Sequence, residues 1–309
     1  MIKLFTHASD PDGLGCVILA KLMDEHLDFT LCKGVRELNT YLDFFLRTDQ
    51  AKNYDQIYIT DLCPSDVLLQ RIDQDEVLKA KFRVFDHHQT AIDTLSKDYS
   101  FVQATSKKDG IPCCGTSLFY GYLLAVDDHY LLNKPGVEHF VEMTRLHDTW
   151  EWRQVSNLEA FHLQTLFQWL GPYGYYYHFM RKLLRENSME YTNEEARWIE
   201  LQMAKNELLI EQLSRSIQVL PYGDYQVGCV FGPYEIRNDL AEYLKKARVD
   251  LDVLMLFAPD NKTVSFRALK ENVEVRSLAE SYGGGGHEQA ASCSFDATLP
   301  YLFERVLKK

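Results

Sequence analysis

The sequence predicts an α/β protein: an N-terminal, doubly wound parallel-sheet domain joined by a helical linker to a smaller C-terminal α/β domain. Three observations predict it. Strand-like and helix-like runs alternate from Ile2 onward, as crossovers between parallel strands require. A helix-like stretch with few breakers, Asn193–Ser216, interrupts the alternation, which restarts at Tyr225. The length, 309 residues, exceeds the usual size of one core. The expected boundaries are residues 1–190, a connecting helix over 191–218, and a second domain over 219–309.

Ile2–Thr6 reads as the first strand. It runs into His7-Ala8-Ser9-Asp10-Pro11-Asp12-Gly13, and Leu14–Leu27 follows with helical spacing. Capping accounts for one carboxylate at a helix start. Two carboxylates with a histidine upstream leave metal binding equally open. Phe29–Lys33 reads as a strand, Glu37–Arg47 as a helix, and Gln56–Thr60 as a strand ending at Asp61. A helix is expected from Ser65 or Asp66, then a buried strand Phe82–Phe85, which delivers Asp86-His87-His88 at its tip. Imidazole and carboxylate together suit Mn or Zn, although a turn with packed histidines explains this trio taken alone. Three strands thus carry polar tips at the sheet edge where ligands collect in open α/β folds.

Residues 94–110 read as a loop, and Gly115–Ala125 and Gly136–Arg145 as helices. Spacing alone makes Asp148 part of a C-terminal turn anchored by tryptophan. Phe161–Leu170 and Tyr175–Glu186 are further helices. Tyr173, Tyr175, Tyr176 and Tyr177 suit core or interface better than base stacking, and the segment around Tyr173–Phe179 is the candidate homodimer surface. Thr192-x-x-Glu195 forms a capping box. Strands Tyr225–Phe231, Leu251–Ala258, Thr263–Ala268 and Ala291–Phe295 and helices Asp239–Lys246 and Val275–Tyr282 make the second domain. Its four glycines, Gly283–Gly286, can turn backbone N–H groups toward an anion, with Arg267 and His287 as companions.

Composition narrows the function. Hydrophobic residues make up 46% and charged residues 25%, as in soluble globular proteins. The chain has no run of about 18 apolar residues, hence no expected membrane span, and its start lacks a signal peptide pattern. Seven cysteines without a CxxC pair point to a reduced, cytoplasmic protein rather than a disulfide framework. A net charge of −12 excludes nucleic-acid binding through a large basic surface. A short anionic substrate gripped locally remains, and part of the acidity suits a metal-binding cluster.

Taken in order, these motifs resemble the DHH phosphoesterase superfamily, specifically members with a C-terminal DHHA1 domain. Asp10-Pro11-Asp12-Gly13, Thr60-Asp61, Asp86-His87-His88 and Asp148 match its catalytic half. Val264–Arg267, Ser277–Glu280 and Gly283–His287 with Ala290-Ala291 match its second half, so the resemblance spans nearly the whole chain. It implies two divalent ions, manganese first, with magnesium or cobalt as alternatives. His7, Asp10 and Asp61 would hold one ion, and Asp12, Asp61, His87 and Asp148 the other, with Asp61 bridging. Asp86 would orient an imidazole from behind, and His88 would face the scissile phosphate. The His7-x-x-Asp10 spacing is a variable feature of the superfamily. Arg267, Gly284, Gly285, Gly286 and His287 would hold the substrate.

The Asp-Gly-Leu-Gly-Cys and Asp-Thr-Trp-Glu-Trp stretches are similar to the nanoRNase branch. That resemblance implies hydrolysis of short single-stranded oligoribonucleotides to mononucleotides. Signalling dinucleotides (pApA, cyclic di-AMP) and 3′-phosphoadenosine 5′-phosphate are the enzymatic alternatives. A non-catalytic nucleotide-binding protein is a third reading, against which every motif residue is present. The absent basic surface disfavours a processive DNA exonuclease, and the DHHA1-like half disfavours a pyrophosphatase.

Overall fold

The computed structural model describes residues 1–95, 99–126 and 129–296; part of the predicted loop over 94–110 and the predicted domain end over 297–309 lie outside the described residues. The chain divides into two units, Met1–Glu200 and Leu201–Lys309. The division falls inside the predicted connecting helix.

The first unit runs β1 (Ile2–His7), α1 (Pro11–Met23), β2 (Asp28–Cys32), α2 (Val35–Arg47), β3 (Gln56–Thr60), α3 (Asp66–Asp73), α4 (Glu76–Lys81), β4 (Phe82–Asp86), α5 (Gln89–Thr94) and β5 (Val102–Ala104). A two-stranded ribbon, β6 (Lys107–Lys108) and β7 (Ile111–Pro112), leads to α6 (Gly115–Val126), α7 (Pro135–Asp148), α8 (Leu158–Arg185) and the start of α9 (Asn193–Ser216), whose later turns belong to the second unit. The main sheet is parallel throughout, ordered β2-β1-β3-β4-β5. Strand alternation feeds two cores. Leu4, Tyr58 and Phe85 pack with α1, α6, α7 and α8, whereas Phe5, Ile57, Ile59, Phe82 and Val84 pack with α2 and α3. Strands are added to one side of β1 with β2 and to the other from β3 onward, so the crevice outside the C-terminal ends of β1 and β3 is the switch point of a 2-1-3-4-5 sheet.

Several elements depart from expectation, among them α4, α5, β6 and β7, for which no separate element was expected. β5 forms within the predicted loop: its three residues lack an apolar pattern, and pairing to β4 makes the strand. The two helices expected over 161–186 form one span, kinked at Gly171 (φ 68°) before Pro172. The tyrosines divide by helical phase. Tyr175 and Tyr176 are buried, while Tyr173 and Tyr177 are exposed.

The second unit runs β8 (Gln218–Tyr222), β9 (Tyr225–Phe231), α10 (Arg237–Ala247), β10 (Val253–Ala258), β11 (Thr263–Ala268), α11 (Arg276–Glu280), β12 (Gly285–Gly286) and β13 (Ala290–Ser294). They build a mixed sheet, β12-β13-β11-β10-β9-β8, with a separate core on each face. The edge strand β8 was not predicted, because its side chains are all exposed. All seven cysteines are free and six are buried. Among the described residues, no helix is long and apolar enough to cross a membrane.

Candidate metal centre

The tips of β1, β3 and β4 converge at the switch point. Asp10 does two things there. Its Oδ1 caps α1 by accepting from Gly13 N (3.1 Å), and its Oδ2 accepts from His7 Nδ1 (2.7 Å). The capping and ligand readings of this turn are therefore compatible. Asp61 follows β3 in a left-handed conformation (φ 56°), uncommon for a residue with a side chain. Its amide donates to Phe85 O (2.8 Å), which fixes the β3 tip against β4. From that position Asp61 Oδ2 lies 3.5 Å from His7 Nδ1, and Oδ1 lies 3.3 Å from His87 Nε2.

His87 Nε2 also lies 3.4 Å from Asp148 Oδ2 and 3.6 Å from Asp12 Oδ2. Asp148 is the last residue of α7. Of the two tryptophans in the turn that follows, Trp152 packs on the first core and against the Phe161 ring, while Trp150 is exposed. α7 itself packs its apolar face into the same core and ends at the cage. Two donor sets result, His7/Asp10/Asp61 and Asp12/His87/Asp148, each with ligand atoms within 4.8 Å of one another. Asp61, His87 and His88 form a third such set at their junction.

Behind this cage Asp86 works through one oxygen. Its Oδ1 accepts from the His87 and His88 amides (2.7 and 3.1 Å) and from His88 Nδ1 (2.7 Å). The imidazole it orients is thus that of His88. Sequence reasoning missed the support of Asp12. The amides of Gly115 and Thr116 donate to its Oδ2 and Oδ1, each at 2.7 Å, and Thr116 Oγ1 donates to its backbone oxygen (2.6 Å). No local signal could have revealed a contact across a hundred residues of chain. Gly115 is obligatory, because a Cβ would meet Asp61 Cβ at 2.8 Å and Asp12 Oδ2 at 3.0 Å.

The electrostatics are those of a cation site. Burial pushes Asp12 well above the carboxylate range, and Asp61 and Asp148 push it further. Asp148 is likewise pushed up to about 6, by burial first. Burial opposes ionisation of Asp61, but the His7 and His87 imidazoles facing it outweigh that and hold Asp61 far down. Burial lowers His7 and His87, yet the surrounding carboxylates carry both well above the ordinary imidazole value. Asp61 Oδ2 and Asp148 Oδ2 are buried without a hydrogen-bond partner. Orphaned carboxylate oxygens facing imidazole nitrogens fit divalent metal ions.

The residues predicted to grip substrate belong to the second unit. Arg267 Nη1 reaches Ala291 O (3.5 Å), and Ala291 pairs with Gly286 across β12 and β13. The amides of Gly284 and His287 are already engaged, donating to Ala279 O and Ala290 O (2.8 Å each). Gly284 also packs against β13 so closely that a Cβ would lie 2.1 Å from Ser292 O.

No protein-family model matches the chain. It is 28% identical over 307 residues to oligoribonuclease NrnB of Bacillus subtilis, a match covering 98% of this chain and 75% of that protein. Among solved structures, the DHH domain of a member of the s1p family of ribosomal proteins shares its fold, with a TM-score of 0.61, 12% identity, and coverage of 99% of this chain and 85% of that one. A pGpG-specific phosphodiesterase, PggH of Vibrio cholerae, aligns at TM-score 0.46 with 14% identity, over 100% of this chain and 98% of that one. The chain thus shares the fold of a DHH domain and is similar to oligoribonuclease NrnB along almost its whole length.

Proposed function

We propose that the chain is a metal-dependent phosphodiesterase that hydrolyses short oligoribonucleotides to mononucleotides. The similarity to NrnB over 98% of the chain carries this reading. His7, Asp10 and Asp61 would hold one divalent ion and Asp12, Asp61, His87 and Asp148 the other; these donors suit Mn or Zn, and the resemblance puts manganese first. When bound, such a pair supplies an activated water and positive charge at the phosphoryl group.

The remaining roles belong to the chain itself. Asp86 engages His88 Nδ1, which leaves Nε2 as the ring's other polar atom for a phosphate oxygen. Burial lowers His88, but Asp86 raises it above the ordinary imidazole value, which favours the protonated ring that can donate to an anion. Asp12, Asp61 and Asp86 are buried and exclude water from the back of the cage. In this reading residues 1–190 are catalytic, and 219–309 grip the substrate through Arg267, Gly285, Gly286 and the His287 side chain, since the Gly284 and His287 amides are engaged within the fold. The free thiols fit a cytoplasmic location.

A substrate panel tests the proposal. Protein with Mn is incubated with a labelled RNA 5-mer, pApA, cyclic di-AMP and long single-stranded DNA. Mononucleotide release from the 5-mer and pApA is expected. Metal-loaded protein inert toward both would overturn the reading, and turnover of cyclic di-AMP alone would redirect it to signalling dinucleotides.

A further inference from the structure

Arg237 opens α10 in the second unit, beside the strand that carries Arg267, and neither residue has a carboxylate within ion-pair reach among the described residues. On β11, Val264 and Phe266 face one core, so Ser265 and Arg267 face the other side, which α10 covers. Arg267 Nε donates to Asn238 Oδ1 (2.8 Å), and Asn238 follows Arg237 in the chain. The Arg237 guanidinium stacks on the Tyr234 ring, 3.8 Å from its centroid, and its Nη1 donates to Tyr234 O (3.0 Å). Its Nε is buried without a partner, and so is Ser265 Oγ. Burial first, then the Arg237 charge, pull Arg267 down to about 10.

Two held guanidiniums that repel each other in a chain of net charge −12 form a site in want of an anion. Neither reaches its position by chance: stacking holds one, and an asparagine holds the other. Guanidinium forks match phosphate oxygens in pairs. A phosphomonoester carries a charge of about −1.5 to −2 at pH 7, against about −1 for an internal diester. Two cations therefore suit the former.

We propose that Arg237 is the second half of a two-arginine clamp for a terminal phosphate, and that this clamp makes the protein select 5′-phosphorylated oligonucleotides. The inference rests on the proposed action on short oligonucleotides and adds the end group that the substrate must carry. Arg237 carries no signal in the sequence, because only the packing of α10 on β11 brings it to Arg267.

The test compares pApA with ApA, which differ only in the terminal phosphate, on the full chain. KM ratios are measured with Mn, and binding ratios are measured in EDTA, where turnover stops. The wild type should prefer pApA by roughly 10- to 100-fold, the worth of a charged hydrogen bond or two. Arg237→Ala should bring that ratio toward one, and Arg237→Lys should restore part of it. Arg237→Gln, read by the same ratio, decides the matter if Arg237→Ala fails to fold by circular dichroism. A folded Arg237 variant that keeps the full preference overturns the clamp, as does a wild type that binds both dinucleotides equally. An Arg237-dependent preference for pApA without hydrolysis of either dinucleotide keeps the clamp and sinks only the nuclease reading.

Discussion

Asp12 and Thr116 are bonded to each other twice, amide to carboxylate at 2.7 Å and hydroxyl to backbone oxygen at 2.6 Å. With Gly115 N on the other carboxylate oxygen, the first turn of α6 fixes the Asp12 side chain independently of any ion. A donor held this way needs no reordering when a cation arrives, which is what support behind a metal ligand provides.

Thr116→Ala should therefore weaken Mn binding about fivefold, as expected for one lost hydrogen bond of about 1 kcal/mol. Thr116→Ser should restore it. Competition with a chelating dye measures both, and equal affinity in Thr116→Ala and wild type would remove Thr116 from the argument. Gly115→Ala should be harsher, more than roughly tenfold, because the new methyl displaces both Asp12 and Asp61.

Asp61 faces imidazoles on both sides, through Oδ2 toward His7 and Oδ1 toward His87. Asp61→Ala should lose one or both equivalents of Mn by elemental analysis and reduce turnover by on the order of a thousandfold or more. Normal turnover in this variant would end the bridging assignment.

Metal binding should release protons. His7 and His87 are carried well above the ordinary imidazole value, and Asp148 to about 6, so the metal-free cage holds protons near neutrality. A cation competes with those protons, so Mn affinity rises with pH and falls steadily below neutrality. Calorimetry in buffers of different ionisation enthalpy should show net proton release. The same competition predicts that Mn raises the melting temperature and that EDTA lowers it. A pH-independent affinity would contradict the protonated cage.

A separate ionic group ties α8 to the start of α9. Glu195, buried, accepts from Lys182 Nζ at both oxygens (2.9 and 2.8 Å), from His178 Nε2 (2.7 Å) and from the Thr192 amide (2.6 Å). Burial opposes its ionisation, but these hydrogen bonds win and hold it down at about 2, against an ordinary 4.5. Its folded-state value lies below its unfolded one. The stabilisation is therefore complete above about pH 4.5 and is lost as pH falls toward about 2. Glu195→Gln should cost about 3 kcal/mol in urea unfolding at pH 7. The gap to wild type should close as the pH is lowered through that window, and a gap of constant size would refute the linkage.

The sequence alone determined much of this protein. Alternation of apolar runs specified the parallel sheet, because strands buried on both faces leave a continuous apolar signal. Turn chemistry then located Asp10, Asp12, Asp61 and Asp86-His87-His88 at strand tips, and the fold rule for open sheets gathered those tips at one edge. These are local patterns, readable within a few residues. Tertiary packing decided what depends on distance. Spacing read Asp148 as the end of a helix, and only the packing of α7 carries its carboxylate to His87. Gly115 and Thr116 look like an ordinary helix start until α6 meets Asp12. β5 and β8 have no apolar period and exist through their pairing partners. Arg237 acquires meaning from Arg267, thirty residues away on another element. The ligand types were written locally, whereas their supports and second partners depend on long-range contacts that no local pattern encodes.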